Sequence, residues 1–145
     1  METRNSGLVL SRDRLERWAA KPKEPLFGLD QDEDLALMAV LETNPEHLPL
    51  VIEFLDRSDI PTSKRTLLLA TLVEMLLLER SPDFVTDSIA RTLGRAIVRN
   101  ADVAQVALQD IGLEGQVMVR KLLELPLPEG LPQGVKNIEP PNQAL

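Results

Sequence analysis

The sequence predicts an all-α fold: a compact antiparallel bundle of about six helices, or a short stack of helix pairs, with a Pro-rich extended C-terminal tail. Helical periodicity runs through most of the chain, and no stretch of strict apolar/polar alternation is bounded by hairpin signals. Cap-type residues and prolines punctuate the apolar stripes, and prolines crowd the end of the chain. A chain of 145 residues, 43% hydrophobic and 27% charged, has the size and mix of one folded domain. The domain is assigned to residues 1–125 and the tail to 126–145.

The first helix is expected from Ser11, its N-cap, to Ala20, with Leu15, Trp18 and Ala19 inward and Pro22 and Pro25 behind it. Asp30 is the next N-cap. Asp32, Glu33 and Asp34 suit the positive end of the helix it opens, and Leu35, Met38, Val40 and Leu41 form its stripe. Asn44-Pro45-Glu46 reads as a cap followed by proline, with Pro49 delaying or kinking the start and Leu48, Val51, Ile52 and Leu55 inward. The segment 63–79 is apolar nearly all round, which assigns it the central position.

Ser81-Pro82-Asp83 repeats the cap-then-proline signal before the clearest amphipathic stripe: Val85, Ile89, Leu93, Ala96 and Ile97. Asn100 is expected to end that helix in the left-handed conformation. A short helix over 102–110 and a last one over 113–125 follow, separated by Ile111-Gly112. Met38, Met75 and Met118 are assigned to the core, whereas Val117, Leu122 and Leu123 are candidates to extend a groove for a partner helix. From Pro126 onward the proline density predicts no helix. Leu127, Leu131, Val135 and Ile138 leave that tail three readings: disordered, docked on its own body, or reaching another chain.

Composition removes most catalytic classes. There is no cysteine, so disulfides, thiolate nucleophiles, iron–sulfur clusters and cysteine zinc sites are excluded, and the single His47 excludes a multi-histidine metal site. No glycine loop suited to phosphates and no nucleophile-elbow serine occurs. Asp30-Gln31-Asp32-Glu33-Asp34 imitates the start of a calcium loop, but Leu35 stands where the turn glycine belongs and Leu41 where the closing glutamate belongs. No metal and no cofactor is therefore expected. Glu74 inside the apolar helix is the remaining carboxylate for acid–base chemistry, since burial there would raise its pKa.

Charge is segregated along the chain. Residues 25–56 hold eight acids and no lysine or arginine, whereas residues 57–100 hold seven basic and five acidic groups. Arg91, Arg95 and Arg99 fall on one side of the amphipathic helix, with Asp87 spaced to pair with Arg91. Asp30, Asp32, Glu33, Asp34 and Glu42 on one side, and Arg91, Arg95 and Arg99 on the other, are the candidate partner-binding residues.

The expectation is a non-enzymatic protein–protein interaction protein: an adaptor, inhibitor, assembly factor or subunit of a larger complex. Its partner would be another protein or a second copy of itself. The alternative is a small regulatory module that binds a ligand or nucleic acid through the arginine ridge, although a net charge of −7 and 3% aromatic residues disfavour nucleic acid. A cytoplasmic location without membrane insertion is expected, because no signal peptide or sufficiently long apolar run is present.

Overall fold

The computed structural model describes residues 10–21, 23, 25–27, 33–77 and 82–141. Eight α-helices pack against one another, and no strand is present among the described residues. They are α1 (Arg12–Ala20), α2 (Glu33–Thr43), α3 (Leu48–Leu55), α4 (Thr62–Leu76), α5 (Asp87–Arg99), α6 (Ala101–Ala107), α7 (Leu113–Leu122) and α8 (Gln133–Lys136), with a 3₁₀ turn at Pro45–His47. The separate short helix expected after Asn100 is α6, and the count goes beyond the expected number because a four-residue helix also forms among the tail prolines. Pro132 N-caps α8, a position where a missing N–H removes no helical bond.

α4 is the hub. It packs against α2, α3, α5, α6 and α7, as expected from its apolar circumference. Leu68, Leu69, Leu72 and Met75 are fully buried along it. Gly115 lets α7 come close: a Cβ there would lie 3.2 Å from Val73 Cγ1, tighter than ordinary contact.

α4 begins without a side-chain cap and carries Lys64 and Arg65 in its first turn, where cations oppose its own dipole. Both are buried, and both serve the carbonyl ends of other helices. Lys64 Nζ donates to the carbonyls of Trp18 and Lys21 at the end of α1 and lies 5.0 Å from the centre of the Trp18 ring. Arg65 Nε donates to the Leu55 carbonyl at the end of α3, 2.8 Å away. The N-terminus of the central helix thus fastens two neighbouring C-termini.

Helix ends account for most departures from expectation. Ser11 caps α1 as expected, its Oγ accepting from Arg14 N at 3.1 Å. Asn44 makes no side-chain cap bond; the 3₁₀ turn intervenes, and Pro49 lies in the first turn of α3, where its missing N–H costs nothing. Ser81 lies outside the described residues, and α5 starts at Asp87, not after Pro82. Pro82–Val85 form a turn, and Thr86 is the cap, its Oγ1 accepting from Ile89 N at 3.3 Å.

Asn100 does not adopt the left-handed conformation: φ is −111° and ψ is 47°. Its side chain ends α5 instead, with Nδ2 donating to the Ala96 carbonyl at 2.9 Å. The last long helix stops at Leu122, short of Leu125, in a Schellman turn. Leu125 N donates to Arg120 O at 2.7 Å and Glu124 N to Lys121 O at 3.3 Å, which places Glu124 at φ 59°. Here a glutamate occupies a position that glycine usually fills.

Met38, Met75 and Met118 are buried as assigned. Val117 and Leu122 are buried too, and Leu123 packs on the core, so among the described residues these three are core and not an open groove for a partner helix. Beyond it, Lys121 Nζ donates to the carbonyls of Lys136 and Ile138 at 2.5 and 2.7 Å, and Ile138 packs against the core. Among the described residues, this segment lies on α7 of its own chain.

Candidate functional site

α3 and α5 run in the same sense on one side of α4, and the seam between them has two different ends. At the C-terminal end a polar clip joins them. Arg65 Nη2 donates to Asn100 Oδ1 at 2.7 Å, and Asn100 Nδ2 donates to Asp56 Oδ1 at 2.7 Å. Arg99 closes on the same carboxylate through Nε at 3.2 Å and Nη2 at 2.9 Å. The two-pronged grip of a guanidinium on a carboxylate is the strong geometry for such a pair.

At the N-terminal end a groove of about 480 Å³ opens between the 3₁₀ turn, α3, the turn at Phe84 and α5. Its apolar surface comes from Pro45, Leu48, Pro49, Ile52, Phe84 and Ile89, with Thr92 and Glu46 also lining it. Prolines create much of the wall: Pro45 starts the 3₁₀ turn, and Pro49 presents its ring where α3 has no interior bond to lose. Phe84 is positioned by the turn before the Thr86 cap. It is also the wall of an adjoining polar pocket of about 460 Å³ lined by Glu42, Pro82 and Asp83. Both volumes lie in the range of binding sites.

The candidate residues read from the sequence are dispersed. Asp30 and Asp32 lie outside the described residues, as does the side chain of Asp34. Glu33 is turned inward, where its carboxylate accepts from Leu26 N and, at 3.0 Å, from Phe27 N. Glu42 is exposed and borders the polar pocket. Arg91 and Arg95 are half-buried, and the Nη1 of Arg95 is buried with no hydrogen-bond partner. Arg99 belongs to the clip. The Asp87–Arg91 ion pair expected from spacing is not among those formed by the described residues.

Other acids of the 25–56 segment are used within the fold. Glu53 pairs with Arg12, whose hydrogen bond holds that carboxyl below its ordinary range. Arg57 bridges Glu16 at 2.8 Å and Asp59 at 2.7 Å, and the hydrogen bond from Arg57 lowers the Asp59 pKa likewise. Arg12 and Arg57 also cover the buried Phe54 ring, 5.8 and 4.7 Å from its centre. Glu74 is half-buried. Among the described residues no group of His, Asp and Glu is arranged to hold a metal ion, and no helix is long and apolar enough to cross a membrane.

Sequence reasoning missed Phe84, Pro45 and Pro49 as groove residues and turned Ile52 inward, whereas it is half-buried and lines the groove. The available signal was Thr86-Asp87, a cap followed by an acid, which would have left Phe84 outside the helix. Comparison with protein-family models, curated proteins and solved structures finds no match.

Proposed function

We propose that this chain is a non-enzymatic binding module, an adaptor, inhibitor, assembly factor or subunit of a larger complex, that receives apolar side chains of another protein in the α3–α5 groove. The observation that carries this reading is the groove itself: six apolar residues from two turns and two helices face a space large enough for several aliphatic side chains. A compact antiparallel bundle held by a central helix suits such a role, because rigid elements rather than loops form most of the wall. A cytoplasmic location is part of this proposal, and the absence of cysteine fits it.

Of the charged candidates, Glu42 has the most support as a binding residue, since it borders the pocket beside the groove. The arginine-ridge alternative has less behind it, because Asp56 already holds Arg99. The reading is tested by Thr92→Arg, which fills the groove from an exposed position on α5. Affinity purification of the tagged variant should lose the partner recovered with the parent chain, while circular dichroism and melting temperature stay the same. Recovery of the same partner by both chains would move the binding surface elsewhere.

A further inference from the structure

We infer that the occupant of the groove is a basic amphipathic segment of a partner protein, one that sets aliphatic side chains on the groove floor and a lysine or arginine beside Phe84. This rests on the reading of the groove as the binding surface and adds the chemistry of what binds. The argument is charge complementarity around an apolar floor.

Glu46 stands at the edge of the groove, and Glu42 and Asp83 face the pocket that shares its Phe84 wall. All three carboxylates are exposed, and among the described residues none has an ion-pair or hydrogen-bond partner. Glu53, Asp56 and Glu33 of the same acidic stretch are all engaged within the fold. Among the described residues, the free carboxylates of this stretch, joined by Asp83, therefore gather where the apolar surface is open.

An apolar ligand alone would leave the Glu42–Asp83 pocket empty, and an acidic one would be repelled from it. A cationic side chain with an aliphatic stem meets both demands, since its methylenes can lie on Phe84 while its head reaches the carboxylates. The other end of the seam is closed by the clip, so an elongated occupant has its basic end at the Phe84 side.

The test is a set of three peptides of equal length and amphipathic pattern, built from Leu with Lys, Leu with Gln and Leu with Glu, titrated into isotopically labelled full-length protein. The Leu/Lys peptide should move the amide signals of Ile52, Phe84, Ile89 and Thr92, the Leu/Gln peptide should bind more weakly, and the Leu/Glu peptide should not bind. The triple variant Glu42→Gln, Glu46→Gln, Asp83→Asn, which alters exposed groups only, should weaken the Leu/Lys peptide about tenfold and leave the Leu/Gln peptide unchanged.

Equal binding of the Leu/Lys and Leu/Gln peptides would overturn the basic occupant while keeping the groove as the binding surface. If no peptide moves the groove signals, the groove reading falls as well. Leu/Lys binding that survives Thr92→Arg would mean diffuse attraction to an acidic protein and would overturn the inference. Self-association abolished by Thr92→Arg would make a second copy the occupant and overturn it too.

Discussion

The two ends of the α3–α5 seam use similar residues to opposite effect. At the clip, Asp56 is held by Arg99 and Asn100, and Asn100 in turn by Arg65. At the groove, Glu42, Glu46 and Asp83 have no such partners among the described residues, and an open space borders Phe84. A carboxylate contributes to the fold only where the chain also supplies a cation or an N–H donor at close range; elsewhere it remains a property of the surface. The contrast between internally satisfied and outwardly available charge separates the scaffold from the face we propose for binding.

The contrast can be broken outright from the helix that underlies both ends. Leu72→Asp places a charge at a fully buried position of α4, and its cost of several kcal/mol rivals a total stability of about 5–15 kcal/mol. Loss of the helical circular-dichroism signal at room temperature is expected, and a parent-like melt would show that this face of α4 is not core. Cutting the clip alone is milder. Asn100→Ala strips the buried Arg65 and the Asp56 carboxylate of their shared amide and should cost about 2–3 kcal/mol in a denaturant titration. Thr92→Ala at the groove end should stay within about 0.5 kcal/mol of the parent. Equal costs for the two would erase the distinction.

Glu124→Gly lies away from both ends and calibrates the scale. Relieving a left-handed glutamate should stabilise the chain by about 1 kcal/mol, read as a raised urea midpoint with an unchanged slope. The smallest effect concerns pH. The fold lowers the pKa of Glu53 and Asp59, so their contribution is complete above the ordinary carboxylate values near pH 4. It fades as pH falls below about 4 and through the lowered values. Both pairs are solvent-exposed, so the loss should be slight and should shrink further in 1 M salt. A steep loss between pH 5 and pH 7 would point to groups other than these.

Most of the helices were legible because burial imposes a period on the sequence, and α4 announced its central place through its apolar circumference. Caps and ends were less legible. Ser11 worked as read, but Asn44 carries a cap-then-proline signal without forming the cap, and Pro82 opens a turn and not α5, because proline geometry is compatible with turns as well as with helix starts. Glu124 broke the glycine rule, so the end of α7 had no marker in the sequence.

The charged residues were least legible of all. Alternating blocks of charge suggested two binding faces, yet whether Arg99 meets a partner or Asp56 depends on a contact across 43 positions, which periodicity does not encode. The groove was invisible for a similar reason: its wall is assembled from residues about 40 positions apart, between 45–52 and 84–92, and they look like ordinary core and turn residues in the sequence.

The docking of α1 leaves one optical consequence. The chain has one tryptophan and no tyrosine, so essentially all of its near-ultraviolet fluorescence originates at Trp18. That indole is 3% exposed and lies beneath Lys64, against the start of the central helix. Its emission therefore reports a single event, the seating of α1, and is silent about the α3–α5 seam on the rest of the molecule. Heating followed by fluorescence and by far-ultraviolet dichroism would time the release of the first helix against the melting of the others, with no label introduced.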